Sequence, residues 1–358
     1  MVSRFDSDYK TIAFICSLPS ALLSLLGPFV YSLMKVVHPR LVVISGSFLC
    51  AIPLMCVPLV KTLPLLGFLF ALTGFGMSIM FLTITITLNE YFTKSFIFFN
   101  TLSTLGVTIG AFCLPVIVER SLTAYIYNGA FLILGGMCLH TVPCALTIRP
   151  PRDVCVFRRT SLLPCYSVFH LRYFFIYAWV LFLIPAAESL GVERARAVYL
   201  ASIAGFGGVL GKLGLLIATY AKFYLILVYI ICCSVCDVTI FISSVNATYL
   251  YQALMALTQG LTVFTFDSIG GVMTKLTVAN EENFPIAFSF TSFANGIGIL
   301  IGDSLSGHIY DVTRSYRAVF NTIGLALLSV IVILVAVFII LRRRTKRNPE
   351  ISDSSQRS

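Results

Sequence analysis

Four ionisable side chains lie inside long apolar stretches of this 358-residue chain: Lys212, Asp237, Asp267 and Asp303. An ionised group at the centre of a bilayer costs about 2.5–3.5 kcal/mol on insertion scales, so a charge placed there needs a partner, water or a ligand. A lysine in such a place can bind a carboxylate, and an aspartate can bind a proton or orient the lysine. These residues are therefore the first candidates for a functional site.

The overall composition excludes a soluble protein. Apolar residues make up 58% of the chain and charged residues 11%, and the mean hydropathy is +0.95, whereas ordinary globular chains have about 45–50% and about 25%. The net charge of +10 comes largely from basic residues after the last apolar run and in one central polar gap. Because cytoplasmic segments of membrane proteins carry such charge, we predict a membrane protein embedded in a lipid bilayer and no nucleic-acid partner.

The apolar runs predict eleven transmembrane helices, since a helical span needs about 20 mostly apolar residues. We predict an N-terminal helix bundle over residues 1–147, a basic cytoplasmic linker over 148–165, a C-terminal bundle over 166–341 and a cytoplasmic tail over 342–358. The predicted spans are 11–34, 41–60, 64–88, 96–118, 124–147, 166–186, 197–219, 222–243, 249–273, 284–309 and 317–341. Two bundles joined by a basic linker are typical of secondary transporters.

Charge in the loops predicts the orientation. If the central linker and the tail are cytoplasmic, then Lys35, Lys94, Lys222 and Lys275 also lie inside. An odd number of spans then puts the N-terminus outside, although residues 4–10 have the character of a loop between two spans. We therefore expect one further helix before Met1, which would complete a six-plus-six arrangement.

Several short segments resemble the monocarboxylate transporter family, a branch of the major facilitator superfamily. Tyr91-Phe-Thr-Lys94 with Asn100, Gly106 and Gly110 resembles the start of that family's fifth helix, and 128–136 with Arg149-Pro150 resembles its sixth. Residues 202–212 resemble its eighth helix, and 296–316 resemble its eleventh helix and the loop that follows. The similarity is collinear over about residues 11–341 and implies an all-α major-facilitator bundle of five plus six helices, with the first helix absent.

The chain also departs from the family pattern. Ser95 and Phe96 stand where the family usually has two arginines, and Gly208 and Lys212 stand where its eighth helix often has Asp and Arg. Asp303-Ser304 replaces a Pro-Pro pair. The family's first-helix lysine, implicated in carboxylate binding, has no counterpart here. Proton-coupled lactate transport in particular does not follow from the resemblance.

Lys212 and Asp267 lie at similar predicted depths in two spans that run in the same direction, so they could form an ion pair. The resemblance implies that both helices border the central cavity, where Lys212 would hold a substrate carboxylate and Asp267 would orient or release it. Alternatively, Lys212 extends to the membrane interface. Asp303 could bind water or a cation among its small neighbours. Alternatively, it could cap a helix or lie in a solvated vestibule. For Asp237, on a helix that the resemblance makes peripheral, we expect a structural role.

Three glycine pairs at a spacing of four predict close helix packing: Gly106 and Gly110, Gly207 and Gly211, and Gly298 and Gly302. In the superfamily arrangement the fifth, eighth and eleventh helices meet between the two halves and slide during transport. The alternative for these pairs is static packing.

The sequence contains no phosphate-binding loop, nucleophile elbow or metal-ligand cluster. We therefore predict that the protein is not an enzyme and that it uses no cofactor. The predicted function is a plasma-membrane secondary transporter that moves a small organic anion by alternating access, with or without a proton. The alternatives are a uniporter of a neutral or aromatic solute and a transport-inactive derivative. The resemblance also implies a single-span accessory chaperone as a partner.

Overall fold

The computed structural model describes residues 9–148, 173–221, 225–243, 246, 248–278 and 283–347. The predicted basic linker, apart from Ile148, and residues 348–358 of the predicted tail lie outside these ranges. Within them the chain forms α-helices and two short 3-10 turns, with no strand. The protein is an all-α polytopic membrane protein, as predicted.

The described residues of the first half form six helices. They are α1 (Tyr9–Leu25), α2 (Gly27–Met34), α3 (Pro39–Cys56), α4 (Leu63–Tyr91), α5 (Phe96–Leu139) and α6 (Thr141–Leu146). The predicted span 11–34 is two helices bent by 44° rather than one straight helix. Pro28 sits in the first turn of α2, where its missing N–H costs nothing but ends the hydrogen-bond ladder of α1.

Helix α5 contains two of the predicted spans, 96–118 and 124–147. Its 44 residues would be about 66 Å long if straight, more than twice the hydrocarbon thickness of about 30 Å. The helix breaks at Ile126, whose φ of 58° lies in the left-handed region. The two spans are therefore separated by a change of direction at one residue rather than by a loop.

The second half also contains six helices, and each corresponds to a predicted span. They are α7 (Tyr173–Ser189), α8 (Arg194–Tyr220), α9 (Leu225–Ser243), α10 (Tyr249–Thr277), α11 (Phe284–Thr313) and α12 (Tyr316–Arg347). Helix α12 continues through the basic residues that the sequence assigned to the tail. By length and composition, six of the described helices can cross a membrane, or seven if the bent pair α1–α2 is one span.

The two halves meet along several helix pairs: α1 and α2 pack on α11, and α5 packs on α8 and contacts α10. Helices α4, α5, α10 and α11 bring their ends together around Lys275, and we call this the Lys275 end. Helices α7, α8, α11 and α12 have termini at the opposite end, which we call the Arg194 end. The candidate site lies between these ends.

Candidate functional site

A cavity of about 450 Å³ lies between the halves toward the Arg194 end. Helix α5 lines it from the first half, and α7, α8 and α10 line it from the second. Its wall is mostly apolar, with Glu119 and Arg194 as its charged residues among those described. We call it the central cavity; its size falls in the range of about 300–1,000 Å³ that is typical of small-molecule sites.

Lys212 lies near this cavity but does not line it. Its side chain is fully buried, with 0% of its surface exposed, and its Nζ lies 5.9 Å from the ring centroid of Phe264, which lines the cavity. Phe264 is therefore a neighbour of both Lys212 and the cavity. Lys212 does not extend to the membrane interface, which was the alternative open at the level of the sequence.

The ammonium group of Lys212 donates a hydrogen bond to the backbone carbonyl oxygen of Thr104, at 2.7 Å. This bond joins α8 in the second half to α5 in the first. Among the described residues Thr104 O is the acceptor within reach, so one of the three N–H groups of Lys212 is satisfied. The others can donate to a ligand oxygen.

Asp267 is close enough to act electrostatically on the Lys212 ammonium group. The hydrogen bond of the Lys212 ammonium group in this conformation goes to Thr104 O, and a direct ion pair of Lys212 with Asp267 stays a prediction. The neighbour of Asp267, Ser268, shares a hydrogen bond of 3.0 Å with the Thr104 hydroxyl. Thr104 is therefore contacted both by α8, through Lys212, and by α10, through Ser268.

The other two intramembrane carboxylates are buried. Asp303 is 2% exposed on α11, near Cys16 of α1, so it is neither a helix cap nor part of a solvated vestibule. Asp237 is buried on α9. In each of them Oδ1 has no hydrogen-bond partner among the described residues. Asp303 lies at the contact between halves, whereas α9 packs on α10 and α12 within the second half.

Known proteins resemble this chain over most of its length. Mouse monocarboxylate transporter 4 is 24% identical over 392 aligned residues, which cover 99% of this chain and 81% of that protein. Mouse monocarboxylate transporter 6 is 26% identical over 70% of this chain and 61% of its own length. Rat monocarboxylate transporter 13 is 24% identical over 92% of this chain and 80% of its own. No family model matches the chain.

These relatives, about 24% identical over most of the chain, support the resemblance to the monocarboxylate transporter family. They are named as transporters, so the chain is an integral membrane protein of the transporter class and not an enzyme. Most of the collinear segments identified in the sequence fall on α5, α8 and α11, which take part in the contact between halves. Tyr91–Lys94 lies at the end of α4 and in the turn that follows it, and Arg149-Pro150 lies outside the described residues.

The predicted glycine pairs of this transporter behave differently from one another. A Cβ at Gly106 would meet no described atom within 4 Å, and one at Gly110 would meet only Leu114 of the same helix. Gly207 and Gly211 do allow close backbone approach, but to Leu257 and Leu261 of α10 within the second half.

The backbones of the two halves approach each other closely at Gly205 and Gly296, which belong to none of the predicted pairs. A Cβ at Gly205 would lie 2.4 Å from the backbone nitrogen of Phe112 on α5, and one at Gly296 would lie 2.5 Å from that of Leu25 on α1. Gly302 is buried on α11, whereas Gly298 is half-buried. The spacing therefore identified α8 and α11 as packing helices but not the residues at which the halves touch.

A set of contacts closes the Lys275 end of the transporter. Lys275 Nζ on α10 donates 2.8 Å to Asn89 Oδ1 and also donates to the carbonyl oxygen of Thr93, and it lies 5.0 Å from the ring centroid of Phe96. Phe96 packs edge-to-face on Phe284 of α11 at 5.0 Å. These contacts, which join the halves, have no separate signal in the sequence; Lys275 was recognisable there only as a loop charge.

Replacing Lys275 with Met should loosen this end. Hydrogen bonds to a charged group contribute about 1.5–3 kcal/mol, so local opening should become about tenfold or more frequent. Hydrogen–deuterium exchange of the purified protein measures this in a peptide that covers Thr93–Phe96. Arg40→Gln, an exposed cation of the first half, is the control and should leave exchange unchanged. Equal exchange in the wild-type and Lys275→Met proteins would show that the contact does not hold the end closed.

Proposed function

We propose that the protein moves a small organic anion of the monocarboxylate class across the plasma membrane by alternating access. The observation that carries the proposal is Lys212: a fully buried ammonium group at the contact between halves, 5.9 Å from the ring centroid of Phe264, which lines a mostly apolar cavity. Such a cavity suits a short apolar body, and the ammonium group suits its carboxylate. The names of the relatives support the same class of substrate.

Lys212 links binding to movement in this proposal. A carboxylate forms a stronger, charge-assisted hydrogen bond to an ammonium group than a neutral carbonyl does. A substrate that passes Phe264 therefore displaces Thr104 O from Lys212 and releases α8 from α5. Asp267 then competes for the freed ammonium group and promotes release of the substrate on the other side. Occupation of the site thereby favours separation of the halves at this contact.

Asp303 is proposed to carry the coupling proton. Its carboxylate is buried at the packed contact of α11 and α1, and its Oδ1 lacks a partner among the described residues. Protonation would make this contact neutral and mobile. A proton bound here and an anion bound at Lys212 together form a neutral load that crosses at lower electrostatic cost.

The Lys275 end is proposed to be cytoplasmic, so that the central cavity faces outward. The basic residues of the central linker and of the tail support this orientation through the positive-inside rule. Epitope tags within 150–162 and after Ser358 should be detected only after permeabilisation of the plasma membrane. Detection of the linker tag on intact cells would reverse the orientation. A single-span accessory chaperone remains a proposed partner for surface delivery.

Uptake into proteoliposomes separates the candidate functions. We expect saturable uptake of a labelled monocarboxylate that is faster with an inward proton gradient. A uniporter would instead show uptake that is independent of the proton gradient and selective for neutral or aromatic solutes. The aromatic residues Trp179 and Phe264 at the cavity are compatible with such solutes. Absence of uptake by a reconstituted, monodisperse protein would favour a transport-inactive derivative.

A further inference from the structure

A second cavity, of about 280 Å³, lies inside the second half at the Arg194 end. Trp179 and Leu183 line both this cavity and the central one, so α7 is the wall between them. The remaining lining comes from α9, α10, α11 and α12, with none from the first half among the described residues. We call it the side cavity. It is separate from Lys212 and from the proposed transport route.

The inner wall of the side cavity holds a hydrogen-bond donor without an acceptor. Trp179 Nε1 donates to Gln259 Oε1 at 2.9 Å, which fixes the orientation of the Gln259 amide. Gln259 is only 2% exposed, and its Nε2 has no partner among the described residues. A buried polar group of this kind costs about 1–3 kcal/mol, which a ligand oxygen would recover after a small shift of the amide.

The outer wall combines aromatic rings with positive charge. Tyr310 and Tyr316 are stacked with centroids 4.3 Å apart, at the junction of α11 and α12. Arg314, between them in sequence, and Arg317 are both exposed at this junction and line the cavity. No Asp or Glu occurs among the described residues that line it. Aromatic walls, cations at the rim and a buried amide donor suit a small aromatic carboxylate.

We propose that the side cavity is a binding site for a small aromatic carboxylate, distinct from the Lys212 site. Arg314 attracts the carboxylate electrostatically, the tyrosines contact the ring of the ligand, and Gln259 Nε2 donates its unused N–H group to a carboxylate oxygen. A ligand here touches Trp179 and Leu183 on the reverse side of the central cavity wall. It therefore restrains α7, so that binding in the side cavity alters the central cavity without occupying it.

Trp179 makes the proposal directly measurable, because it is the single tryptophan of the chain. The probe is para-iodobenzoate, whose iodine quenches indole fluorescence on contact, added to the purified full-length protein. We expect saturable quenching, with little from the uncharged para-iodobenzamide. Absence of saturable quenching, or equal quenching by the amide, would overturn the proposal.

Two variants identify the cavity that the probe occupies. Arg314→Asn removes the charge while Asn tolerates the left-handed backbone at this position, where φ is 51°; it should weaken the apparent Kd about tenfold, and Arg314→Lys should restore part of it. Ala201→Leu fills the central cavity and should leave the quenching curve unchanged. The opposite pattern, with loss in Ala201→Leu and none in Arg314→Asn, would place the probe in the central cavity and refute the side site. Uptake is not the readout, so failure here is distinct from failure of the transport proposal.

Discussion

Lys212→Met should abolish substrate uptake while leaving the protein folded. The substitution removes the cation that is proposed to bind the substrate carboxylate, and loss of one partner of a buried charged contact costs about 2–5 kcal/mol, or at least about 30-fold in kcat/KM. Methionine has a similar length and no charge to bury, so thermal stability should hold or rise. Lys212→Arg should retain part of the activity because it keeps the charge but changes the geometry.

The control is Lys61→Met, which removes an exposed lysine between α3 and α4. This substitution should leave uptake unchanged. A fall in thermal stability that matches the fall in uptake would instead assign Lys212 a structural role, as a tie between α8 and Thr104. Wild-type uptake by Lys212→Met would contradict the proposed site itself.

The same experiment extends to Asp267. Asp267→Asn should slow release of substrate, and its combination with Lys212→Met should be non-additive by about 0.5–3 kcal/mol if the two charges interact. The exchanged pair, Lys212→Asp with Asp267→Lys, should express better than either single charge reversal. Additive effects throughout would show that Lys212 acts alone, with Thr104 as its partner in the resting state.

Gly205→Ala should disrupt the contact between halves, whereas Gly106→Ala should not. A Cβ at Gly205 would lie 2.4 Å from the backbone nitrogen of Phe112 on α5, and backbone cannot move aside as a side chain can. Overpacking of this kind costs about 1–3 kcal/mol. At Gly106 the added Cβ meets open space, and alanine favours a helix by about 0.5–1 kcal/mol over glycine.

Thermal unfolding of the purified variants, with uptake measured in parallel, distinguishes the two glycines. Gly205→Ala should have a lower Tm and reduced uptake, and Gly106→Ala should match or exceed the wild-type Tm. Gly260→Ala, whose Cβ would lie 1.9 Å from Ala204 O within the second half, should lower the Tm as well. Equal effects at Gly205 and Gly106 would mean that α5 and α8 do not pack as described.

Apolar run length predicted the helices well because the bilayer sets the length of each span. It missed the change of direction before α2, which depends on a single proline in the first turn of that helix and does not interrupt the apolar run. In α5 it did predict a boundary, between the spans 96–118 and 124–147, where Glu119 and Arg120 interrupt the apolar run. The break itself is at Ile126, whose backbone conformation has no signal in hydropathy.

The candidate site was only partly predictable for a related reason. A charge in an apolar run is visible in the sequence, and this identified Lys212, Asp267 and Asp303. The acceptor of Lys212 is a backbone carbonyl, which every residue possesses, and so the residue type of Thr104 gave no indication. Lys275 and Asn89 are 186 positions apart, and only the packing of the two halves brings them together.

Counterflow is the most direct test of a carrier that alternates between two faces. Proteoliposomes are loaded with an unlabelled monocarboxylate, diluted, and given a trace of the labelled compound outside. The site of such a carrier is exposed to one side at a time, and the excess unlabelled compound inside competes with the label for the return to the outside. The label should therefore accumulate transiently above its equilibrium level. The overshoot should vanish in Lys212→Met. Simple equilibration of the label by the wild-type protein, with no overshoot, would contradict the account.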